Sequence, residues 1–254
     1  MRQKFSTIAY FTVLEAMRNR LVYLAALIVA IAFAFTLLLK QVAITESGQI
    51  QIAFLAALFR FVAVFIVAAF VVVSQVREAN DKVLDFLLTR ELSRDQYLFG
   101  KLAGYLAVAL IVAILFTLPI CFFAAPAAAT WWGMSLFLEL AMVTAMCLFC
   151  VLTFNQVIGA LAAFAGFYLL SRSMAALQLI AASRDGAGAI DRVANTVLDA
   201  IAFLLPRLDL FTRTEWLLAN GTVNFNLRGL LAQSAIYVVL LSLAALFDLR
   251  RKNF

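Results

Sequence analysis

The chain alternates between long, uninterrupted apolar runs and short polar connections. Six of the runs reach about the 20 residues that a helix needs to cross the ~30 Å hydrocarbon core of a membrane. They are continuously apolar and rich in Ala and Leu, without the alternation typical of transmembrane β-strands. The pattern predicts an all-α polytopic membrane protein with six transmembrane helices. The predicted spans are about 21–39, 53–74, 102–124, 132–153, 157–181 and 228–248.

Composition agrees with this class. The chain has 254 residues, of which 66% are apolar and 13% charged, and its mean hydropathy is +1.03. These values lie outside the range of soluble globular domains. Because most of the length falls in spans, we expect a single transmembrane domain over residues 1–254. The first run begins only at Leu21 and is too long for a cleaved signal peptide, so we expect the N-terminus to persist.

Basic residues near the span ends predict the orientation, because Lys and Arg accumulate in short cytoplasmic loops. With six spans, the N-terminal segment, the connection between the second and third spans and the C-terminus share one side. Together they carry twelve Lys and Arg residues, whereas the connection at 40–52 contributes only Lys40. We therefore expect both termini to be cytoplasmic. The net charge of +6 does not indicate nucleic acid binding, because the basic residues lie at span ends.

Residues 1–20 are predicted to form an interfacial helix, with an elbow at Arg18-Asn19-Arg20 where the chain enters the first span. The alternative is a solvated basic tail. In helical projection the apolar face holds Phe5, Ala9, Val13, Ala16 and Met17, and the polar face holds Lys4, Thr7, Glu15 and Arg18.

Residues 183–227, between the fifth and sixth spans, are predicted to form a helical loop on the outer side. Apolar residues repeat at helical spacing, and Pro206 ends this helix. A second short helix is predicted around 212–218. Neither is long enough to span, so we expect both to lie on or in the outer interface. The repeating apolar positions are Ile190, Val193, Val197, Ile201 and Leu204.

The chain offers little for catalysis. It has no His, the side chain most suited to acid–base chemistry at neutral pH. It has no phosphate-binding loop, because its Gly-Lys pair, Gly100-Lys101, is followed by Leu102. We expect no catalytic residue and no enzyme activity from this chain alone, so the energy for any work must come from elsewhere.

Cysteines and glycines in the apolar runs are interpreted as packing residues. Cys147 and Cys150 have redox or metal spacing, but, like Cys121, they lie in apolar runs of a chain without His, so we expect no metal site. Gly100-x-x-x-Gly104 permits close approach of a second helix, which we expect to belong to the same subunit.

Three charged residues, Arg60, Glu139 and Arg172, lie inside predicted spans, where charge is costly and marks functional candidates. Counted from the predicted span ends at 1.5 Å per residue, all three lie roughly 10–15 Å below the outer surface. Glu139 can pair with either arginine, which leaves one positive charge over. Two interpretations stay open: an ion pair that fixes the helices, with snorkelling arginines, or a positive cavity on the path of an anionic or amphipathic substrate.

The connection from Arg77 to Lys101 is strongly charged. It holds ten of the chain's 34 charged residues, five of each sign, between two long apolar runs. Leu84, Leu87 and Leu88 have the i, i+3, i+4 spacing of a short amphipathic helix. A water-side helix with an apolar stripe predicts a docking surface for a soluble partner.

The residue order of this segment resembles the cytoplasmic segment of ABC transporter permeases of the type-2, exporter class. The elbow, the six spans and the basic C-terminus fit the same layout. Lys82-Val83 and Glu91 replace the family's Gly-Thr and Pro, which favours a more continuous helix. The matching residues are Arg77-Glu78, Leu84-Asp85, Leu87-Leu88-Thr89, Ser93-Arg94, Tyr97 and Gly100-Lys101.

The resemblance implies a permease subunit in the bacterial inner membrane, surrounded by lipid, that exports or flips a substrate. It would pair with a second copy of itself or a related permease and with two separate ATPase subunits, which bind ATP and Mg; this chain would bind no cofactor. A coupling helix at about 81–89, within the cytoplasmic segment 76–100, would enter a cleft of the ATPase. The alternative is an ion-coupled secondary transporter or a membrane anchor subunit of a soluble complex. The implied coupling residues are Glu78, Leu84, Asp85, Leu87, Leu88 and Arg94.

Overall fold

The structure, a computed structural model, describes residues 2–42, 47–81, 93–182, 189–211, 217 and 227–251. Within these ranges the chain is helical and contains no strand, so the all-α prediction is confirmed there. A 3-10 turn at Leu208–Phe211 follows the seventh helix. The helices are α1 Arg2–Arg18, α2 Leu21–Val42, α3 Ser47–Asn80, α4 Arg94–Ile120, α5 Pro126–Phe154, α6 Val157–Ala182, α7 Ala189–Leu204 and α8 Leu227–Arg251.

Five helices, α3, α4, α5, α6 and α8, are long and apolar enough to cross a membrane. The predicted first span falls in α2, which meets α1 at a bend of 51°; if this bent pair counts as one span, the number rises to six. A membrane-spanning helical protein is therefore what the fold supports. The count of six spans and the direction of the termini stay predictions.

Helix α5 forms the centre of the bundle and contacts α3, α4, α6 and α8. It is apolar on all sides, which is typical of a helix surrounded by others. Pro126 begins it at a position that needs no N–H partner. Asn155 ends it at φ 56°, in the left-handed region that Asn tolerates, so that α6 turns back directly beside it.

The cysteines divide into two groups. Cys147 and Cys150 are buried in α5, as expected for packing residues, but Cys121 is exposed at the end of α4. Within this chain the packing interpretation is therefore wrong for Cys121, which follows the last residue of α4, Ile120, as its exposed C-cap.

Helices α3 and α4 extend well beyond the predicted spans, and this corrects the boundaries of the charged segment. Arg77 lies in the last turn of α3, and α4 begins at Arg94 instead of near 102. The charged residues at these ends are good helix formers. Ser93 caps α4, because its Oγ accepts a hydrogen bond from the Gln96 N–H at 3.3 Å, and Asp95 suits the positive end of the helix dipole.

Helix α1 packs along α4 at the two glycines of the Gly100-x-x-x-Gly104 pattern. A Cβ on Gly104 would lie 2.6 Å from Thr12 Cβ, and one on Gly100 would lie 3.1 Å from Ile8 Cβ. The close approach therefore depends on the missing side chains, and the pattern serves packing within one subunit. The turn at Asn19–Arg20, with Arg20 at φ 57°, then leads into α2.

The predicted faces of α1 are partly wrong. Ala16 is buried as expected, but Met17, assigned to the apolar face, is exposed. Glu15, assigned to the polar face, is partly buried, and its carboxylate accepts a hydrogen bond from Ser74. The helix lies against other helices on one side, so its burial follows α3 and α4 instead of a flat membrane surface.

A helix is present before Pro206, as expected, and is α7; its position on the outer side stays a prediction. Val197 and Leu204, two of its periodic apolar residues, are exposed in the isolated chain. The second short helix expected around 212–218 lies outside the described residues, apart from Leu217, which is buried.

Candidate functional site

Two clusters of charged and polar side chains connect the helices. The first, the helix-end cluster, joins the end of α3 to the start of α4 and the end of α1. It comprises Glu15, Ser74, Gln75, Glu78, Tyr97, Lys101 and Tyr105. The second, the mid-helix cluster, joins α3, α5 and α6 and comprises Arg60, Ser135, Glu139, Tyr168 and Arg172.

The centre of the helix-end cluster is an ion pair between Lys101 and Glu78. The Lys101 ammonium is bonded to Glu78 Oε1, and the Tyr97 hydroxyl donates to Glu78 Oε2 at 2.9 Å. Lys101 and Tyr97 are buried, whereas the Glu78 side chain keeps 20% of its surface exposed. The two helices that flank residues 82–92 are therefore tied together by charge-assisted hydrogen bonds.

A second layer of hydrogen bonds brings α1 into this cluster. Ser74 donates to Glu15 Oε1 at 2.8 Å, and Glu15 Oε2 lies 4.0 Å from Lys101 Nζ. The Tyr105 hydroxyl donates a hydrogen bond to Ser74 Oγ at 3.1 Å. The centre of the Tyr105 ring lies 5.6 Å from Lys101 Nζ. One ammonium thus lies between two carboxylates on different helices, above an aromatic ring.

Glu78, which the resemblance assigns to ATPase coupling, makes its described contacts within the chain. Its carboxylate is directed at Lys101 and Tyr97, near the end of the charged segment, and its part in coupling stays a prediction. Gln75, which also donates to Tyr97 at 2.7 Å, had not been singled out. Its spacing of three residues from Glu78 on α3 places both on one helix face and was the signal that could have identified it.

Arg94 also makes an intramolecular contact. Its Nη1 donates to the carbonyls of Leu249 and Arg250, at 2.8 and 2.9 Å, at the end of α8. Asp95 beside it forms an ion pair of 2.7 Å with Arg250. The start of α4 therefore binds the C-terminal end of α8 through carbonyls that have no partner within α8 itself.

The remaining residues assigned to coupling cannot be located in the same way. Leu84, Asp85, Leu87 and Leu88 lie outside the described residues. The interpretation of their apolar stripe as a docking surface stays a prediction from the sequence.

The mid-helix cluster is built on a buried pair. Arg60 Nη1 lies 2.6 Å from Glu139 Oε2, and Arg60 Nη2 donates to Ser135 Oγ at 2.8 Å. Arg60 and Glu139 are 1% and 0% exposed, and the guanidinium carbon lies 5.1 Å from the Trp132 ring centre. Because both charges are removed from water, the pair is stable only with these additional partners.

Arg172 approaches the same carboxylate from α6. Its Nη1 lies 3.8 Å from Glu139 Oε1 and donates to the Tyr168 hydroxyl at 3.1 Å, which in turn donates to Glu139 at 2.9 Å. The Arg172 side chain is 29% exposed. Glu139 therefore contacts both arginines, so the cluster carries one excess positive charge, located on its more accessible member.

Arg60 and Glu139 lie farther from the starts of their helices than from the starts of the predicted spans. Arg60 is thirteen residues from the start of α3 and Glu139 thirteen from the start of α5, because both helices begin six residues before the predicted spans. Their depth in a membrane stays a prediction. Tyr168 and Ser135 had not been singled out. Each lies four residues before a charged member of the cluster on the same helix, a spacing that could have identified them.

The described contacts of both clusters are ion pairs and hydrogen bonds between helices. In the described part of the chain, His, Cys, Asp and Glu form no group of three that could hold a metal ion. The charged groups instead pair with one another and with hydroxyl groups that connect different helices.

Comparison with models of known protein families gives no match, and comparison with curated proteins gives none either. Any function therefore has to be argued from the residues and their geometry.

Proposed function

We propose that the chain is the permease subunit of an ABC transporter of the type-2 class. It would move a substrate across a bacterial inner membrane with ATP hydrolysed by a separate ATPase subunit. The observation that carries the proposal is the charged segment Arg77–Lys101, whose residue order resembles that family and whose two ends are joined by the helix-end cluster.

The helix-end cluster supports a mechanical role for the segment. Residues 82–92 connect the ends of α3 and α4, which the bonds of Glu78 to Lys101 and Tyr97 hold together. A force applied to this connection would move the two helices as one unit instead of separating them. The force would come from an ATPase, because the chain has no phosphate-binding loop.

Two further contacts would distribute this movement. Glu15 connects α1 to α3 through Ser74, and Arg94 connects the start of α4 to the end of α8. In the six-span arrangement with cytoplasmic termini, α1, the charged segment and the end of α8 share the cytoplasmic side. All three would then respond to one partner.

Reconstitution with the ATPase encoded by an adjacent gene tests the proposal. The purified pair should co-elute, and the permease should change the rate of ATP hydrolysis in lipid nanodiscs. Leu87→Arg or Leu88→Arg should abolish both effects, because each introduces a charge into the apolar stripe.

Thr89→Arg is the matched control. In a helical projection Thr89 lies roughly 140° from Leu84, outside the stripe, so the same charge should leave assembly intact. Full assembly and hydrolysis by the Leu87→Arg and Leu88→Arg variants would overturn the coupling role of the stripe.

An ion-coupled secondary transporter is the second candidate. It is favoured by the position of Glu139 near the middle of α5, since such transporters place ionisable residues near the membrane midplane. Uptake or efflux driven by an ion gradient in liposomes that contain this chain alone would favour it over the permease.

A further inference from the structure

An open groove of about 810 Å³ lies between α2 and α3. Its walls are almost entirely apolar, and several of its large side chains are exposed, among them Tyr23 at 68% and Phe61 at 46%. The volume lies in the range of small-molecule sites. A groove of this kind on a membrane protein presents apolar surface to a ligand with a long hydrocarbon part.

The groove is long as well as apolar. Its lining residues on α3 extend from Phe61 to Arg77. At 1.5 Å per residue this distance is about 24 Å, more than half of the ~30 Å hydrocarbon core. An extended acyl chain would lie along α3 in contact with Phe65, Ala69 and Val73.

One end of the groove is positively charged. Arg20 precedes the first residue of α2, and Arg77 lies in the last turn of α3. The two helices contact each other and are joined by only four residues, so they run antiparallel and both arginines lie at the same end. Arg20 and Arg77 are exposed, and the described residues that line the groove include no Asp or Glu.

We propose that this groove binds an anionic phospholipid of the surrounding membrane, with its phosphate between Arg20 and Arg77 and an acyl chain along α3. Two guanidinium groups at an end of the groove whose described lining holds no carboxylate suit a headgroup of net negative charge. Asn19 adds an amide at the same end. The apolar part of the groove supplies the area that holds the chain.

The site adjoins the helix-end cluster. Ser74 lines the groove and also donates to Glu15 on α1. A phospholipid bound here would connect the turn at Arg20 to the end of α3, and the cluster already joins the preceding helix, α1, to α3 through Glu15. Lipid binding would therefore stabilise the relative position of α1, α2 and α3.

Native mass spectrometry of the delipidated full-length chain tests the proposal. After incubation in detergent micelles with equal amounts of phosphatidylglycerol and phosphatidylcholine, the protein should retain phosphatidylglycerol preferentially. A basic residue at a membrane surface contributes about a fivefold preference for anionic lipid, so Arg20→Asn with Arg77→Gln should lower the preference roughly 25-fold. Asn is chosen for Arg20 because it tolerates the positive φ.

Two matched controls separate specific from general effects. Arg18→Gln with Arg251→Gln removes the same charge from exposed residues outside the groove and should keep the preference. Ala69→Trp fills the groove and should abolish retention of both lipids, whereas Ala162→Trp, at an exposed alanine of α6, should not. Arg77→Gln alone changes an exposed helical position, so it decides the question even if another variant does not fold.

Three results would overturn the proposal. The first is equal retention of the two phospholipids by the unmodified chain. The second is an unchanged preference in Arg77→Gln and in the double variant. The third is a dimer that Ala69→Trp converts to a monomer without changing lipid retention, which would mean that a second copy of the chain covers the groove.

Discussion

The two clusters use opposite arrangements of the same charges. In the helix-end cluster one ammonium, Lys101, lies between the carboxylates of Glu78 and Glu15; in the mid-helix cluster one carboxylate, Glu139, lies between two guanidiniums. The Glu78 and Glu15 side chains are 20% and 25% exposed, whereas Glu139 is fully buried. The two carboxylates of the helix-end cluster keep contact with water, whereas the carboxylate of Glu139 finds all its partners inside the protein.

The difference explains the residue types at the two places. The planar guanidinium of Arg60 contacts Glu139 and Ser135 simultaneously, through two nitrogen atoms. Lys101 presents a compact ammonium on a flexible stem, able to shift between two partly exposed carboxylates. The mid-helix cluster is thus suited to fix helices, and the helix-end cluster to hold helices that move together.

Removal of the mid-helix carboxylate is the strongest test of this comparison. Glu139→Gln leaves Arg60 buried without a counter-charge, which should lower the free energy of unfolding by about 3–5 kcal/mol. Glu15→Gln, the same substitution at a partly exposed residue, should lower it by about 1 kcal/mol. Equilibrium unfolding with SDS in mixed micelles measures both. Equal losses would contradict the dependence on burial.

The double variant Arg60→Met with Glu139→Leu distinguishes two contributions to the free energy of unfolding: the net stabilisation by the ion pair and the destabilisation by an unpaired buried charge. Replacement of both partners by apolar residues should recover most of the loss, since a buried pair adds little net stability over a packed apolar one. If the double variant is as unstable as Glu139→Gln, the pair itself stabilises the bundle.

Lys101→Met tests the helix-end cluster. It removes the charge that joins Glu78 to Glu15, and the loss of charge-assisted hydrogen bonds should lower the free energy of unfolding by about 2 kcal/mol. The loss stays below that of Glu139→Gln, because both carboxylates keep contact with water. Hydrogen exchange should also increase at the end of α3 and the start of α4. A loss as large as that of Glu139→Gln would remove the distinction between the clusters.

The sequence predicted the helices and the charged residues of the mid-helix cluster, because charge inside an apolar run is conspicuous. It did not predict which arginine would pair with Glu139, since Arg60 and Glu139 are 79 residues apart and their contact depends on how α3 packs on α5. The i, i+4 spacings that complete the cluster can be read from the sequence, but the contacts of these residues follow only when the partner helix is known.

The charged segment differs from the mid-helix cluster in what its sequence predicts. The order of its residues indicates a family resemblance, but it does not predict the direction of the side chains. Glu78, Tyr97 and Lys101 were assigned to the water side because they are polar and lie beyond the apolar runs, and the structure turns them toward one another. The cause is the extra length of α3 and α4, which carries polar residues into contact between helices and cannot be read from hydropathy alone.

Gly104→Ala tests whether the helix-end cluster depends on the position of α1. The new methyl group would lie 2.6 Å from Thr12 Cβ and 3.0 Å from the Ala9 carbonyl oxygen, so α1 must move away from α4. The free energy of unfolding should fall by about 1 kcal/mol, since overpacking exceeds the helix preference of Ala. Gly166→Ala, with open space around it, should be neutral or stabilising by up to about 1 kcal/mol.

Hydrogen exchange at the end of α1 provides the structural readout. The exchange rate should increase in the Gly104→Ala variant and not in the Gly166→Ala variant. An unchanged rate would mean that Thr12 adjusts without displacing α1, and that Glu15 keeps its contact with Ser74.

Asp95→Asn should have the smallest effect on the free energy of unfolding. It completes the series of variants from buried to exposed ion pairs. Its partner Arg250 is exposed, and both side chains remain in water, where ion pairs gain little. The unfolding midpoint should therefore not change beyond measurement error, even though the 2.7 Å separation is as short as that of the buried pair. Arg94, the neighbouring residue on α4, supplies the contrast: Arg94→Ala withdraws the donor from the carbonyls of Leu249 and Arg250 and should increase hydrogen exchange at the end of α8. Distance alone would predict equal losses for the exposed and the buried pair, so a clear destabilisation by Asp95→Asn would show that proximity, and not burial, ranks these contacts.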